Sequence, residues 1–418
     1  MPRQPLHEDW IAVIVAFLTI GLVCAGLKPT LPKFGWNSME TLSAQLFQAQ
    51  TWIQAGTLLL WVLGGLFIAR LLAGQRQLLP LIPSLVAIMA ISLLAQIITS
   101  NKAVKDLGIE VVLFSLLLGL FIKNVLGVPE WMKPAIQTEL YIKIGLVLLG
   151  ANVIFKDILQ AGALGILQSV VVVFTVWYFT FWLCKRLGLD DEFRMMISSA
   201  VSICGVSAAI ATSGAIEGDN KKLSHVISLV LIVAIPMMLF MPYLATWAGM
   251  SPAVAGAWLG GTIDTSGAVV AAGTMLGEEA LKYATLVKFS QNVLLGLAAF
   301  FISVYWSYTK KETATEKPGL RTIWERFPKF VLGFVMASLL FSFALPPEVV
   351  SAAKGSLKEL QTYWFALAFT CIGLETKFTD IFSMENGRPA IAFIVAQLFN
   401  IIFTLIISYL VFDYLAAA

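Results

Sequence analysis

Trp258-Leu-Gly-Gly-Thr-Ile-Asp-Thr-Ser-Gly-Ala-Val-Val-Ala-Ala-Gly273 sets a lone acidic residue, Asp264, in an apolar, glycine-rich stretch. The surroundings are too hydrophobic for a surface loop, while Gly260, Gly261, Gly267 and Gly273 are poor components of an uninterrupted helix. In a bilayer, backbone released from helical pairing survives only where protein buries it or where it lines a wet cavity. An ionisable side chain at such a break is costly to keep and marks a site. The stretch therefore predicts an interrupted membrane helix on a solute or ion pathway.

Composition supports the membrane reading. The chain is 59% hydrophobic and 13% charged over 418 residues, whereas a soluble domain is roughly a quarter charged. Apolar runs take up its length, at 10–27, 51–73, 78–99, 108–126, 139–157, 161–184, 194–216, 223–247, 252–275, 280–306, 328–345, 361–382 and 388–413. The expected fold is all-α and polytopic, with about thirteen transmembrane helices, inverted repeats and broken helices. A net charge of +3 gives no reason to expect a nucleic-acid partner. Cys24, Cys184, Cys204 and Cys371 are scattered through apolar segments and read as small buried residues. With only His7 and His225 present, no metal centre and no cofactor are expected. The first apolar run lacks a small-residue cleavage site and reads as a retained helix.

Basic residues set the expected orientation. Lys310, Lys311, Lys317, Arg321, Arg326 and Lys329 make 307–329 a cytoplasmic linker; Lys185, Arg186 and Arg194 mark a second inner loop, and Arg70 with Arg76 a third. All agree if the N-terminus is inside and the C-terminus outside. The chain also repeats itself. Leu146-Val-Leu-Leu-Gly-Ala-Asn-Val-Ile-Phe-Lys-Asp-Ile158 aligns with Phe369-Thr-Cys-Ile-Gly-Leu-Glu-Thr-Lys-Phe-Thr-Asp-Ile381, matching Gly150 with Gly373, Phe155 with Phe378 and Asp157 with Asp380. Upstream, one apolar helix ends at Pro129-Glu130 and the other at Pro347-Glu348. The span count inverts the two copies, as in secondary transporters with a midplane site. The expected organisation is an N-terminal helix and external segment (1–50), a first repeat (51–186) and a central pair with a broken helix (187–250). A second repeat follows in two parts, 251–306 and 330–418, around the linker.

Three segments carry candidate chemistry. Cys204–Ile216 is crowded with small and hydroxylated residues, among them Gly205, Ser207, Thr212 and Ser213. They permit close helix packing or a broken helix whose N–H groups cradle an anion. This segment shares Thr-Ser-Gly-Ala with 261–272, and whether either crosses or re-enters stays open. The second segment brings Gly261, Thr262, Asp264, Thr265 and Ser266 into one turn. Lys288 is the candidate partner of Asp264, either as a fixed pair or as part of a site face. Helical spacing sets Lys288, Gln291 and Asn292 on one face, with Thr285 a turn earlier and Ser290 nearby. Asn152 and Glu375, equivalent positions after the matched glycines, are reserve candidates, although Glu375 and Lys377 also suit an interfacial position.

These residues resemble the YeiH-type sulfate exporter family across roughly residues 80–415. The resemblance rests on Gly-Gly-Thr-Ile at 260–263, Val-Val-Ala-Ala-Gly at 269–273, Val287-Lys288 with Ser290, the run Ile144–Gly150, and Cys204-Gly205. Many members carry His-Glu where this chain has Asp264-Thr265 and arginine where it has Gln291, so the site here has less positive charge. The resemblance implies sulfate as cargo. The repeat order is also similar to that of bile-acid-symporter-like and antiporter-like carriers, an analogy of fold alone.

The combined expectation is a secondary active transporter in the cytoplasmic membrane, moving a small anion by alternating access. Sulfate is the first cargo; an organic acid or sulfonate coupled to H⁺ or Na⁺ is the alternative. In this scheme the hydroxyls and N–H groups of the two broken helices bind the anion with Lys288, Ser290, Gln291 and Asn292, and Asp264 takes the coupling ion. Partners are then the solute, the coupling ion and the bilayer, with homo-oligomer formation open. An anion channel and an intramembrane enzyme are weaker readings. The enzyme is disfavoured because Asp264 lacks a second carboxylate and the histidines lie elsewhere.

Overall fold

The computed structural model describes residues 6–75, 79–106, 111–309, 324, 327–377 and 387–415. Among them no strand forms, and a single isolated bridge joins Trp36 to Asn101. The helices are α1 (Glu8–Cys24), α2 (Met39–Leu46), α3 (Ala49–Leu72), α4 (Leu81–Thr99), α5 (Lys102–Asp106), α6 (Val111–Phe121), α7 (Thr138–Gly150), α8 (Phe155–Arg186), α9 (Asp191–Ser199), α10 (Val206–Ile216), α11 (Asn220–Trp247), α12 (Pro252–Thr262), α13 (Ser266–Met275), α14 (Glu278–Thr309), α15 (Lys329–Leu339), α16 (Pro347–Glu375) and α17 (Gly387–Tyr409). Among the described residues, six stretches are long and apolar enough to cross a membrane: Ala49–Leu72, Leu81–Thr99, Ala161–Arg186, Asn220–Trp247, Glu278–Trp306 and Gly387–Tyr414. Shorter apolar helices accompany them, so the chain is a polytopic membrane protein.

Most apolar runs became helices where expected. One differs clearly: the run at 361–382 belongs to a helix that already starts at Pro347. Its added turns, from Pro347 to Leu360, carry Glu348, Lys354, Lys358 and Glu359 and bury Ala353, Leu357 and Leu360. Hydropathy reports bilayer-like sequence and overlooks an amphipathic extension of the same helix. The basic residues Arg76, Lys310, Lys311, Lys317, Arg321 and Arg326 lie outside the described residues, as do Phe378 and Asp380 of the repeat. The chain divides into two compact units. One comprises Met1–Lys156 with Lys329–Lys377, the other Asp157–Pro328 with Phe378–Ala418.

In the first unit, α6 and α15 each close in a five-residue π turn, Ile122–Leu126 and Leu340–Ala344. Each turn stands just before one of the matched Pro-Glu pairs. The matched glycines then seat on each other's preceding helix: Gly150 of α7 meets the backbone of Phe334 in α15, and Gly373 of α16 meets Leu116 and Gly119 in α6. A Cβ at either glycine would run into backbone, which cannot swing aside. Gly150→Ala and Gly373→Ala are each expected to lose about 1–3 kcal/mol in thermal unfolding. Gly355→Ala, where nothing lies within 4 Å, serves as the neutral control. An ion cluster around buried Asp9 also ties this unit together. Lys143 Nζ lies 2.7 Å from Glu8 and 3.1 Å from Asp9, and Asp9 Oδ2 accepts the Lys329 N–H at 2.8 Å. These contacts join α1, α7 and α15.

The second unit holds the interrupted helices. A five-residue π turn, Ala200–Cys204, follows α9, and α10 restarts beyond Gly205. The α12 helix starts on the Ser251 cap with Pro252 in its first turn, stops at Thr262, and α13 restarts at Ser266. At 11 and 10 residues, α12 and α13 are each roughly 15 Å long, about half a hydrocarbon core. Only end to end do such halves reach across. Gly260 lets α12 lie directly on the α14 backbone at Ala284, which holds the second break against the helix carrying Lys288.

Candidate functional site

The two breaks touch. Gly205 adopts φ 58° and ψ −114°, a conformation that side-chain-bearing residues avoid. A Cβ built there would stand 3.1 Å from Asp264 Cβ and 3.3 Å from the Asp264 carbonyl oxygen. Breaking a helix frees carbonyls and N–H groups, and buried ones need partners. Side chains of α14 and α17 supply many of them. Gln291 Nε2 donates to Gly261 O at 2.8 Å. Gln397 Nε2 donates to Thr262 O at 2.9 Å and to Met237 Sδ at 3.3 Å. Asn400 Nδ2 reaches Val201 O at 3.1 Å and Thr262 O at 3.3 Å.

Lys288 is the centre of this arrangement. Its side chain is only 2% exposed, and its Nζ donates to Ile203 O at 2.8 Å, Ile263 O at 2.8 Å and Gln291 Oε1 at 3.1 Å. One ammonium thus bridges the C-terminal ends of both half-helices, where the backbone dipoles leave negative charge. Asp264, 1% exposed, occupies the opposite pole. It lies beside Gly205 at the start of α10 and one residue before the Thr265 cap of α13, where the dipoles leave positive charge. Neither of its carboxylate oxygens accepts a hydrogen bond. The Gln397 amide of the neighbouring α17 commits its N–H groups to Thr262 and Met237 instead.

The direct Asp264–Lys288 pair suggested by the sequence is therefore not the arrangement adopted. Each charge instead faces its own pair of helix ends. The helical face itself forms as spaced: Gln291 meets Lys288, and Asn292 Nδ2 donates to Ser266 Oγ at 3.1 Å. Thr262, Thr265 and Ser266 lie in the same break, where Thr265 Oγ1 accepts the Ala268 N–H at 3.2 Å. Other candidates separate from it. Ser290 Oγ donates to Leu286 O at 2.9 Å in its own helix and packs beside Gly165. Ser207 is exposed in the first turn of α10. Thr212 and Ser213 lie about 10 Å further along α10 by helical rise, with Ser213 turned to Gly218. Asn152 and Glu375 belong to the first unit, where Asn152 Nδ2 donates to Gln361 at 3.3 Å and Glu375 accepts from Thr138 at 2.7 Å.

The polar turn after α10 serves α11. Asp219 is its N-cap and accepts the N–H groups of Lys221 and Lys222 at 2.6 and 3.2 Å, which hold its carboxyl below the usual aspartate range. Sequence reasoning missed the α17 residues. Gln397, Asn400, Thr404 and Ser408 form a buried polar stripe at spacings that keep to one helix face. Thr404 Oγ1 donates to Asn400 Oδ1 at 2.8 Å, and Ser408 Oγ donates to Gln168 Oε1 at 3.2 Å. That spacing was available in the sequence as a signal.

Residues 83–411 match the family described as Conserved hypothetical protein 698. The chain belongs to this family. It is similar to a UPF0324 membrane protein of Rhodopirellula baltica, 41% identical over 335 residues, covering 78% of this chain and 62% of the relative. A UPF0324 membrane protein of Nitratidesulfovibrio vulgaris is 39% identical over 339 residues, covering 78% and 58%. The chain thus spans less than two thirds of the length of these relatives. A UPF0324 membrane protein of Nitrosomonas europaea is 31% identical over 325 residues, covering 69% and 66%. No solved structure matches the chain.

Proposed function

We propose that this family member is a secondary active transporter that moves a small anion by alternating access around the meeting of its two helix breaks. The observation carrying this reading is the meeting of two helix breaks, with two half-helix N-termini on the Asp264 side and a buried ammonium bridging the two C-terminal ends. The α10 helix begins without a side-chain cap, and the start of α13 lies across Asp264 from it. Free N–H groups at helix starts favour an anion, and Lys288 supplies compensating charge once it leaves its carbonyl partners. Asp264 takes the coupling ion, H⁺ or Na⁺. Sulfate is the cargo implied by the family resemblance, with an organic acid or sulfonate as the alternative. The protein then resides in the cytoplasmic membrane with its N-terminus inside and its C-terminus outside. It acts as a carrier and not as an enzyme.

The test is counterflow. Proteoliposomes loaded with unlabelled sulfate are expected to accumulate labelled sulfate transiently above sulfate-free vesicles, because exchange stimulated from the far side requires a carrier. Equal uptake by both vesicle sets, with folded protein, would sink sulfate as cargo and direct the same assay to organic acids and sulfonates.

A further inference from the structure

The buried polar atoms around the second break are unequally served. Among the side-chain nitrogens, Lys288 Nζ, Gln291 Nε2, Asn292 Nδ2, Gln397 Nε2 and Asn400 Nδ2 all donate to protein atoms. The oxygens fare differently. Both carboxylate oxygens of Asp264, the Thr262 hydroxyl and the Gln397 amide oxygen are buried without a hydrogen-bond partner. Thr262 stands two residues before Asp264, and the Gln397 amide donates to the Thr262 carbonyl. Unserved oxygens on the Asp264 side of the break, apart from the N–H groups and ammonium that would hold the anion, are the ligands a cation needs.

We propose that Asp264, Thr262 and Gln397 form a binding site for a dehydrated alkali cation of the Na⁺ class. The proposal rests on the transporter reading and specifies its coupling ion. Hard cations take oxygen ligands, and all three side chains offer oxygen. A single carboxylate among neutral ligands suits a monovalent ion better than a divalent one, particularly with the Lys288 ammonium fixed nearby. That ammonium is held by three other oxygens, so it neither fills the site nor neutralises Asp264 by direct contact. Gly205 at the start of α10 packs against Asp264 Cβ, and Thr265 next to it caps α13.

The experiment measures thermal unfolding of the full chain in detergent, without sulfate, while Na⁺ replaces choline at constant ionic strength. Na⁺ is expected to raise the midpoint saturably, by about 3–8 °C at a hundredfold excess over its dissociation constant. Asp264→Asn should abolish the rise. Thr262→Val keeps the side-chain shape and deletes a hydroxyl that makes no bond to protein, so a structural role predicts no change. The site predicts at least a tenfold loss of apparent Na⁺ affinity. A rise of equal size in K⁺ and Na⁺ that survives Asp264→Asn would overturn the site, as would no rise at all. Because sulfate is absent, the outcome is separable from the cargo: a Na⁺ effect without sulfate counterflow leaves the cation site standing and removes only sulfate.

Discussion

Lys288→Ala is expected to abolish transport and to lower stability by about 3–5 kcal/mol. The first effect follows from the proposed role of the ammonium as the positive charge of the transport site. The second follows from its contacts, which sequence alone would not have suggested. Lys288 Nζ serves Ile203 O, Ile263 O and Gln291 Oε1, so its removal leaves three buried acceptors unmet and unties the two breaks from each other. Hydrogen bonds from a charged donor contribute about 1.5–3 kcal/mol each, and three that act on one atom do not add fully. Lys288→Met separates the two effects, because it keeps most of the apolar stem and removes the charge. Thermal unfolding and counterflow should both fall in Lys288→Met, with Lys288→Ala falling further in stability. A Lys288→Met protein that transports normally would remove Lys288 from the mechanism.

The difference between the sequence reading and the structure has a physical origin at this residue. Glycines and a lone Asp264 made the break at 258–273 readable, because few other arrangements tolerate those residue types inside a membrane. Lys288, Gln291 and Asn292 were readable as one face because helical spacing is a local property. Their partners were not. Backbone carbonyls leave no mark in a sequence, so Asp264, the nearest opposite charge by chemistry, is the only candidate partner of Lys288 that sequence can offer. The α17 amides escaped for another reason: Gln397 and Asn400 are uncharged and more than a hundred residues away in the chain. Ser290 went the other way. It matched the family pattern and had the right residue type, yet its hydroxyl closes on its own helix at Leu286.

Gly205 stands where the two breaks meet, and its substitution tests whether they support each other. Gly205→Ala is expected to cost about 2–5 kcal/mol, combining backbone strain with overpacking. The strain arises because φ 58° with ψ −114° suits glycine alone. The overpacking arises because the new Cβ would meet Val230 Cγ1 at 2.7 Å and Asp264 Cβ at 3.1 Å. Gly277→Ala isolates the first term, since Gly277 also has positive φ, at 97°, but nothing lies within 4 Å of its Cβ. Thermal unfolding should therefore show a larger loss for Gly205→Ala than for Gly277→Ala, and equal losses would mean that the contact with Asp264 carries no energy. Transport should fall with it. Ile203 lies two residues before Gly205, so a shift of that turn moves one of the three oxygens that hold Lys288, and pushing Asp264 aside disturbs the opposite pole at the same time. Both charges of the site thus depend on one position that has no side chain.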